Sequence, residues 1–150
     1  MLFIALTGGT AAERENIAAG LVTASRGNLL PLANDGADVR YQGRRAKHLA
    51  ASLAAQEEQR ARSLGAALEQ GKSRWRQGLV VVHCLTEREA ALVRERDGVI
   101  WHLYSRPSQT VVIRNGDPMV TDGENGFGHV LSPLEALSEL LLARGANGRP

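Results

Sequence analysis

The stretch LFIALTGGTAAER, from Leu2 to Arg14, is the part of the sequence that decides the fold. Its first part, Leu2–Leu6, is continuously apolar, and continuous rather than alternating hydrophobicity is typical of a strand buried on both faces. The run stops at Gly8-Gly9, and a helical spacing of apolar residues follows from Ala11 to Ala24. A buried strand, a glycine turn and a helix in this order predict an α/β fold with a mainly parallel sheet.

The rest of the chain continues this alternation of strands and helices. Apolar runs predict further strands at Leu29–Leu32, Leu79–Val82, Val99–Tyr104, Thr110–Arg114 and His129–Leu131. Helical patterns run from Arg44 to Gln70, from Thr86 to Asp97 and from Ser132 to the start of a frayed tail, Gly145–Pro150. We therefore expect one domain over residues 1–150, a three-layer α/β sandwich with about five mainly parallel strands.

Three local features refine this expectation. Pro31 has no backbone N–H to donate, so its strand should lie near an edge of the sheet. Thr86 followed by Glu89 three residues later is a capping box, which begins a helix. The leucine stripe of the last helix is expected to face the core; it consists of Leu134, Leu137, Leu140 and Leu141.

The composition limits the class of protein. The longest apolar runs have about six residues, far fewer than the ~20 needed to span a membrane, so we expect no membrane partner. The single cysteine, Cys84, excludes an internal disulfide and is consistent with a reducing cytoplasm. Net charge is only +2, and the basic residues, sixteen of eighteen of them arginine, are mostly spread along the chain. This pattern does not favour a nucleic-acid groove.

The turn after the first strand is where two nucleotide-binding motifs normally lie. The dinucleotide fingerprint requires glycine where Thr10 and Glu13 stand, so it does not fit. The phosphate-loop template G-x-x-x-x-G-K-[ST] fits in register, with Gly8 as its first glycine and Arg14 in place of its lysine. In that register Glu13 replaces the second glycine and Glu15 replaces the hydroxyl residue. The candidate phosphate-binding residues in this turn are Gly8, Gly9, Thr10, Ala11 and Arg14.

Glu13 and Glu15 have two interpretations. In a phosphate loop they place two carboxylates where a phosphate needs backbone N–H groups and a cation. In an ordinary helix start they are favoured by the helix dipole, by about 0.3–1 kcal/mol each. The sequence alone leaves both interpretations open.

A second stretch, VVHCLTEREA from Val81 to Ala90, supports a phosphate-loop protein. Together with Asp97-Gly98-Val99 and Arg106-Pro107 it resembles the deoxynucleoside monophosphate kinases of the phosphate-loop superfamily, including those encoded by phages. In that family the third strand ends in a stretch like V-V-D-V-R-F-x-N-E-A. The resemblance implies a kinase-like fold and a phosphate contact at Arg106, and it implies ATP and Mg²⁺ as cofactors only if the protein is an active kinase.

The chain departs from the family at positions that carry its chemistry. The family's strand-end aspartate falls on His83 and its arginine falls on Leu85, whereas Glu89 is retained. Glu89 is equally well explained by the capping box. His83 follows the strongest strand, at the edge where α/β sheets place their ligands, although a structural role is the favoured interpretation of this residue. The candidate catalytic residues are thus Arg14, His83 and Glu89, and no metal site is indicated.

These departures predict a degenerate deoxynucleoside monophosphate kinase-like protein with little or no phosphoryl transfer, which acts by binding a nucleotide or a protein. One alternative is an active small nucleotide kinase that uses Arg14 in place of the lysine. The other is a non-enzymatic regulatory domain that docks an acidic partner through arginines such as Arg74 and Arg76.

Overall fold

The computed structural model describes residues 2–36, 46–75, 77–122 and 128–147. The strands are β1 (Leu2–Thr7), β2 (Leu30–Leu32), β3 (Gly78–Val81), β4 (Val99–Leu103), β5 (Met119–Val120) and β6 (Val130–Leu131). The helices are α1 (Ala11–Ala24), α2 (Ala46–Gln70), α3 (Glu87–Glu95) and α4 (Pro133–Asn147). The six strands form one all-parallel sheet in the order β2-β3-β1-β4-β5-β6. None of the described helices is long and apolar enough to cross a membrane.

The central strand β1 separates two hydrophobic cores, because successive side chains of a strand point to opposite faces. Phe3 and Ala5 belong to the core that α2 and α3 cover. Ile4 and Leu6 belong to the core that α1 and α4 cover. A sheet with two helices on each face is the three-layer α/β sandwich that the sequence predicts.

The order of the strands determines where a ligand crevice opens. Strand β1 pairs with β3 on one side and with β4 on the other. The chain leaving β1 leads to β2 on one side of the sheet, whereas the chain leaving β4 leads to β5 on the opposite side. In open α/β sheets ligands bind outside the carboxyl ends of the strands, at such a switch point.

Several local predictions are confirmed. Strand β2, which contains Pro31, lies at one edge of the sheet. The Thr86 hydroxyl accepts a hydrogen bond from the backbone N–H of Glu89, as a capping box requires. At the start of α4 the hydroxyl of Ser132 accepts a hydrogen bond from the N–H of Glu135. His102 and Trp75 are buried.

One strand was predicted at the wrong position. The sheet has six strands where about five were expected, and Thr110–Arg114 is an irregular segment outside it. There the N–H of Val112 binds the Glu87 carboxylate rather than a neighbouring strand. The place beside β4 is taken by β5, whose two residues are too few to produce a recognisable pattern.

The end of the chain also differs from the prediction. Helix α4 continues through Gly145 to Asn147, since glycine lowers helix propensity by about 1 kcal/mol without forbidding the helix. Residues 148–150 of the expected tail lie outside the described residues, as do Arg40, Arg44, Arg45 and Arg76. Of the leucine stripe, Leu137 is buried, but Leu134 and Leu141 are 57% and 50% exposed. The helix buries only the side that faces α1 and β6, which is narrower than the apolar stripe.

Candidate functional site

A cleft of about 510 Å³ opens at the carboxyl edge of the sheet, between the β1–α1 turn and the loop that follows β4. We call it the arginine-lined cleft. Its lining includes all six candidate phosphate-binding residues, namely Gly8, Gly9, Thr10, Ala11, Arg14 and Arg106. Residues separated by about ninety positions in the sequence therefore meet at the switch point of the sheet.

The turn after β1 requires both of its glycines. Gly8 and Gly9 have φ values of +81° and +60°, a region that L side chains rarely adopt. The N–H of Gly9 donates to the carbonyl of Arg106 at 2.6 Å, so the turn lies directly against the loop after β4. A Cβ at Gly8 would lie only 2.7 Å from that same carbonyl oxygen.

Helix α1 begins earlier than the phosphate-loop template requires. Only three residues, 8–10, separate the strand from the helix, and Thr10 is the N-cap, accepting from the N–H of Glu13 at 3.1 Å. Ala11 and Ala12, which fill the loop in the template, are therefore helical. Their N–H groups belong to the first turn, where no acceptor exists within the helix, and they lie at its positive end.

Arg14 lies beneath this turn and is 2% exposed. Its Nη1 donates to the carbonyl of Gly8 at 2.6 Å and to that of Gly9 at 3.2 Å. Its Nε donates to Nδ1 of His83 at 3.0 Å. These three acceptors carry no formal charge, and they hold the guanidinium at the base of the cleft.

His83 is buried beside Arg14. The side chain of Asn34 binds both backbone groups of His83: Oδ1 accepts from its N–H at 3.0 Å, and Nδ2 donates to its carbonyl at 2.6 Å. Nε2 of the imidazole lies 3.5 Å from Oε1 of Glu15. Burial, followed by the charge of Arg14, lowers the pKa of His83 below its ordinary value of 6.5, and Glu15 only partly opposes this. A neutral imidazole is also what the geometry requires, because Nδ1 must accept the hydrogen bond from Arg14.

Glu89 lies outside the arginine-lined cleft and is fully buried. Its carboxylate accepts from Nε of Arg60 at 2.7 Å, from Oγ1 of Thr86 at 2.9 Å and from Nδ2 of Asn34 at 3.3 Å. It contributes instead to the wall of a second cleft, of about 580 Å³, beside α2. The structure therefore brings Arg14 and His83 into contact and leaves Glu89 in a separate ion pair.

The carboxylates of Glu13 and Glu15 do not line the cleft, which corrects the phosphate-loop interpretation of these two residues. The Glu13 carboxylate accepts from the hydroxyls of Ser105 at 2.5 Å and Thr10 at 3.3 Å, and Glu15 lies beside His83. The early start of α1 places both residues on the helix rather than in the loop. Among the described residues, the lining contains two arginines and no carboxylate.

Two groups that matter for this geometry are not identified from the sequence. Asn34 follows an edge strand closely, a position typical of ligand-binding or loop-fixing polar residues, but no motif marks it. Ser108 and Thr110 also line the cleft. The sequence predicts a strand that begins at Thr110 and does not mark either residue as part of the site. Their only sequence signal is that they follow Arg106-Pro107.

Other reactive side chains are accounted for by packing. Cys84 is 0% exposed in the core, and burial raises the pKa of its thiol far above the ordinary range, so it is not a nucleophile. His102 pairs through Nε2 with Asp117 at 2.9 Å. Within the described parts of the chain, no three His, Cys, Asp or Glu residues are grouped as metal ligands.

Comparisons with known proteins give no significant match to a family model, to a curated protein or to a solved structure. The fold and the site define only a structural class of protein, an all-parallel α/β sandwich with a glycine turn and two arginines at the switch point of its sheet.

Proposed function

We propose that this protein is a degenerate relative of the nucleotide kinases that binds the phosphate groups of a nucleotide in the arginine-lined cleft and transfers phosphate slowly or not at all. The observation that carries the proposal is the convergence of Gly8, Gly9, Thr10, Ala11, Arg14 and Arg106 on one cleft at the switch point of the sheet.

The electrostatics of the cleft support an anionic ligand. The first-turn N–H groups of α1 and the positive end of its dipole lie at the cleft, an arrangement that favours phosphate. Arg14 adds a charge at the base, and the exposed Arg106 adds one on the opposite loop. Guanidinium groups bind phosphate oxygens in pairs, which gives orientation as well as affinity.

The same contacts argue against efficient phosphoryl transfer. Phosphoryl transfer relies on cations that are placed around the transferring phosphoryl group and the leaving oxygen, where negative charge develops. Arg14 is buried and bound to Gly8, Gly9 and His83, so it cannot extend over a transferring group. Glu89 is committed to Arg60 and the capping box, which leaves it unable to act as a base in the cleft.

Titration calorimetry with ATP and with deoxynucleoside monophosphates tests the binding. We expect saturable binding, and we expect Arg106→Ala to weaken it by about tenfold, since a hydrogen bond to a charged group contributes about 1.5–3 kcal/mol. Arg62→Ala is the matched control, because Arg62 is an exposed arginine that pairs with Glu58 on α2 and does not line the cleft.

A coupled assay of ADP formation from ATP and each deoxynucleoside monophosphate tests the second half of the proposal. We expect turnover far below the roughly 1–100 per second of working kinases. Turnover in that range contradicts the loss of transfer. An absence of binding at millimolar nucleotide, or an equal effect of Arg106→Ala and Arg62→Ala, contradicts the proposed site.

A further inference from the structure

We infer that the arginine-lined cleft binds its phosphate groups without a divalent metal, so that its ligand is a metal-free phosphate or polyphosphate and not a complex with Mg²⁺. The inference rests on the proposed function, but it concerns a different property of the same cleft. It follows from the contacts of the carboxylates and hydroxyls near the cleft and from the two arginines that line it.

Mg²⁺ in nucleotide sites is held by one or two carboxylates together with phosphate oxygens and water. Three described carboxylates lie on the helices that begin beside the cleft, those of Glu13, Glu15 and Glu89. Glu13 accepts two hydroxyl hydrogen bonds on the rim, and Glu15 lies against His83 on the helix surface. Glu89 is fully buried and bound to Arg60. None of the three lines the cleft.

The hydroxyl groups that line the cleft are engaged as well. Thr10 caps α1 and donates to Glu13. Thr110 donates to the carbonyl of Leu85 at 2.5 Å, and Ser108 caps the turn at residues 108–111 by accepting from the N–H of Val111. These neutral hydroxyls do not supply the negative charge of the carboxylates that usually hold Mg²⁺ in nucleotide sites.

Where the kinase family has an acidic residue at the end of the third strand, this chain has His83. Its Nδ1 accepts from Arg14, and its Nε2 faces Glu15. The site thus has an imidazole, hydrogen-bonded to the buried guanidinium of Arg14, at the position where the family has a metal-binding carboxylate. Arg14 and Arg106 provide the neutralisation of phosphate charge that a metal provides elsewhere.

The test measures the affinity for pyrophosphate and for ADP by calorimetry, once in EDTA and once in excess Mg²⁺. Saturable binding in EDTA is expected. In Mg²⁺ the affinity should be unchanged or weaker by up to about tenfold, because the metal and the exposed Arg106 compete for the same phosphate oxygens. Arg106→Ala should weaken binding in EDTA by a similar factor, whereas Arg62→Ala should not.

The outcomes separate the two proposals. Binding that appears only in Mg²⁺, or that strengthens in Mg²⁺, overturns the metal-free inference and leaves the proposed function standing. An absence of binding under both conditions overturns the proposed function and this inference together. Binding in EDTA that Arg106→Ala does not affect overturns both, since it places the ligand outside the cleft.

Discussion

Nε of Arg14 donates a hydrogen bond to Nδ1 of His83 at 3.0 Å, joining two buried side chains that are 69 positions apart in the sequence. The contact links the turn after β1 to the segment after β3, the two stretches in which the sequence predicts candidate site residues. It also assigns the imidazole: Nδ1 is the acceptor, and Nε2 carries the proton that faces Glu15. Arg14 is therefore a fixed part of the cleft floor.

Replacing Arg14 by methionine should lower the free energy of unfolding by about 3 kcal/mol. The change leaves Nδ1 of His83 and the carbonyl of Gly8 without their donor, and each unsatisfied buried group costs about 1–3 kcal/mol. Urea denaturation measures the effect. Arg62→Ala, at an exposed i, i+4 pair, should change stability by less than about 0.5 kcal/mol. Equal effects of the two substitutions would contradict the role assigned to Arg14.

The stability of the protein should fall on acidification through His83. Because burial and Arg14 lower the pKa of His83 in the folded state, the unfolded chain binds the proton more readily. The contribution of His83 is thus fully present above pH 6.5 and is lost as the pH falls from 6.5 toward the lowered pKa. His83→Asn keeps an acceptor near the position of Nδ1 but does not titrate.

Comparing urea denaturation of the wild type and His83→Asn between about pH 7.5 and pH 5 isolates this effect, because the carboxylates and the other histidines are common to both proteins. The wild type should lose more stability than the variant below pH 6.5. A constant difference between the two proteins across this range would show that His83 does not titrate as the structure implies. Of the charged groups near His83, Arg14 and Arg60 favour its neutral form and Glu15 opposes them.

Most of the fold could be predicted because its signals are local. Continuous apolar runs identify β1, β3 and β4, whose side chains are buried on both faces of the sheet. Thr86 and Ser132 identify two helix starts through hydrogen bonds that span only three residues. Strand β5 could not be predicted, since two residues have no measurable period and its place depends on pairing with β4.

Six residues that line the cleft could be selected from the sequence, but their arrangement could not. Position after a strand was enough to select Gly8, Arg14 and Arg106, because parallel strands end at one edge. The direction in which Glu13 and Arg14 point depends on the residue at which α1 begins. The phosphate-loop template has a longer loop than this chain, so it places the Glu13 carboxylate in the phosphate site, whereas the observed helix start places it outside the cleft. The burial of Arg14 depends on contacts with distant residues, which sequence spacing does not encode.

Glu89 should prove structural rather than catalytic. Glu89→Ala removes the only described carboxylate that pairs with Arg60, whose side chain is 12% exposed, and loss of one partner of a buried pair costs about 3–5 kcal/mol. The double variant Glu89→Leu/Arg60→Met should recover much of this loss, because neither charge is then left alone. Urea denaturation measures the free energy of unfolding of the single and the double variant.

The nucleotide affinity of the folded double variant should remain within about threefold of that of the wild type. A loss of binding without a loss of stability would instead place Glu89 in the site.

The glycine at the end of β1 should be irreplaceable, and a helical glycine offers its matched control. Gly8→Ala introduces a Cβ at φ +81°, only 2.7 Å from the carbonyl of Arg106, and should lower the free energy of unfolding by about 2–4 kcal/mol. Gly20→Ala lies within α1, where a Cβ meets nothing within 4 Å, and should raise stability by about 1 kcal/mol. Thermal and urea denaturation measure both substitutions.

Because the Gly8 turn rests on the loop that bears Arg106, any Gly8→Ala protein that folds should also bind nucleotide more weakly, whereas Gly20→Ala should bind normally. Equal stability of the two variants would mean that the turn does not lie against the loop after β4.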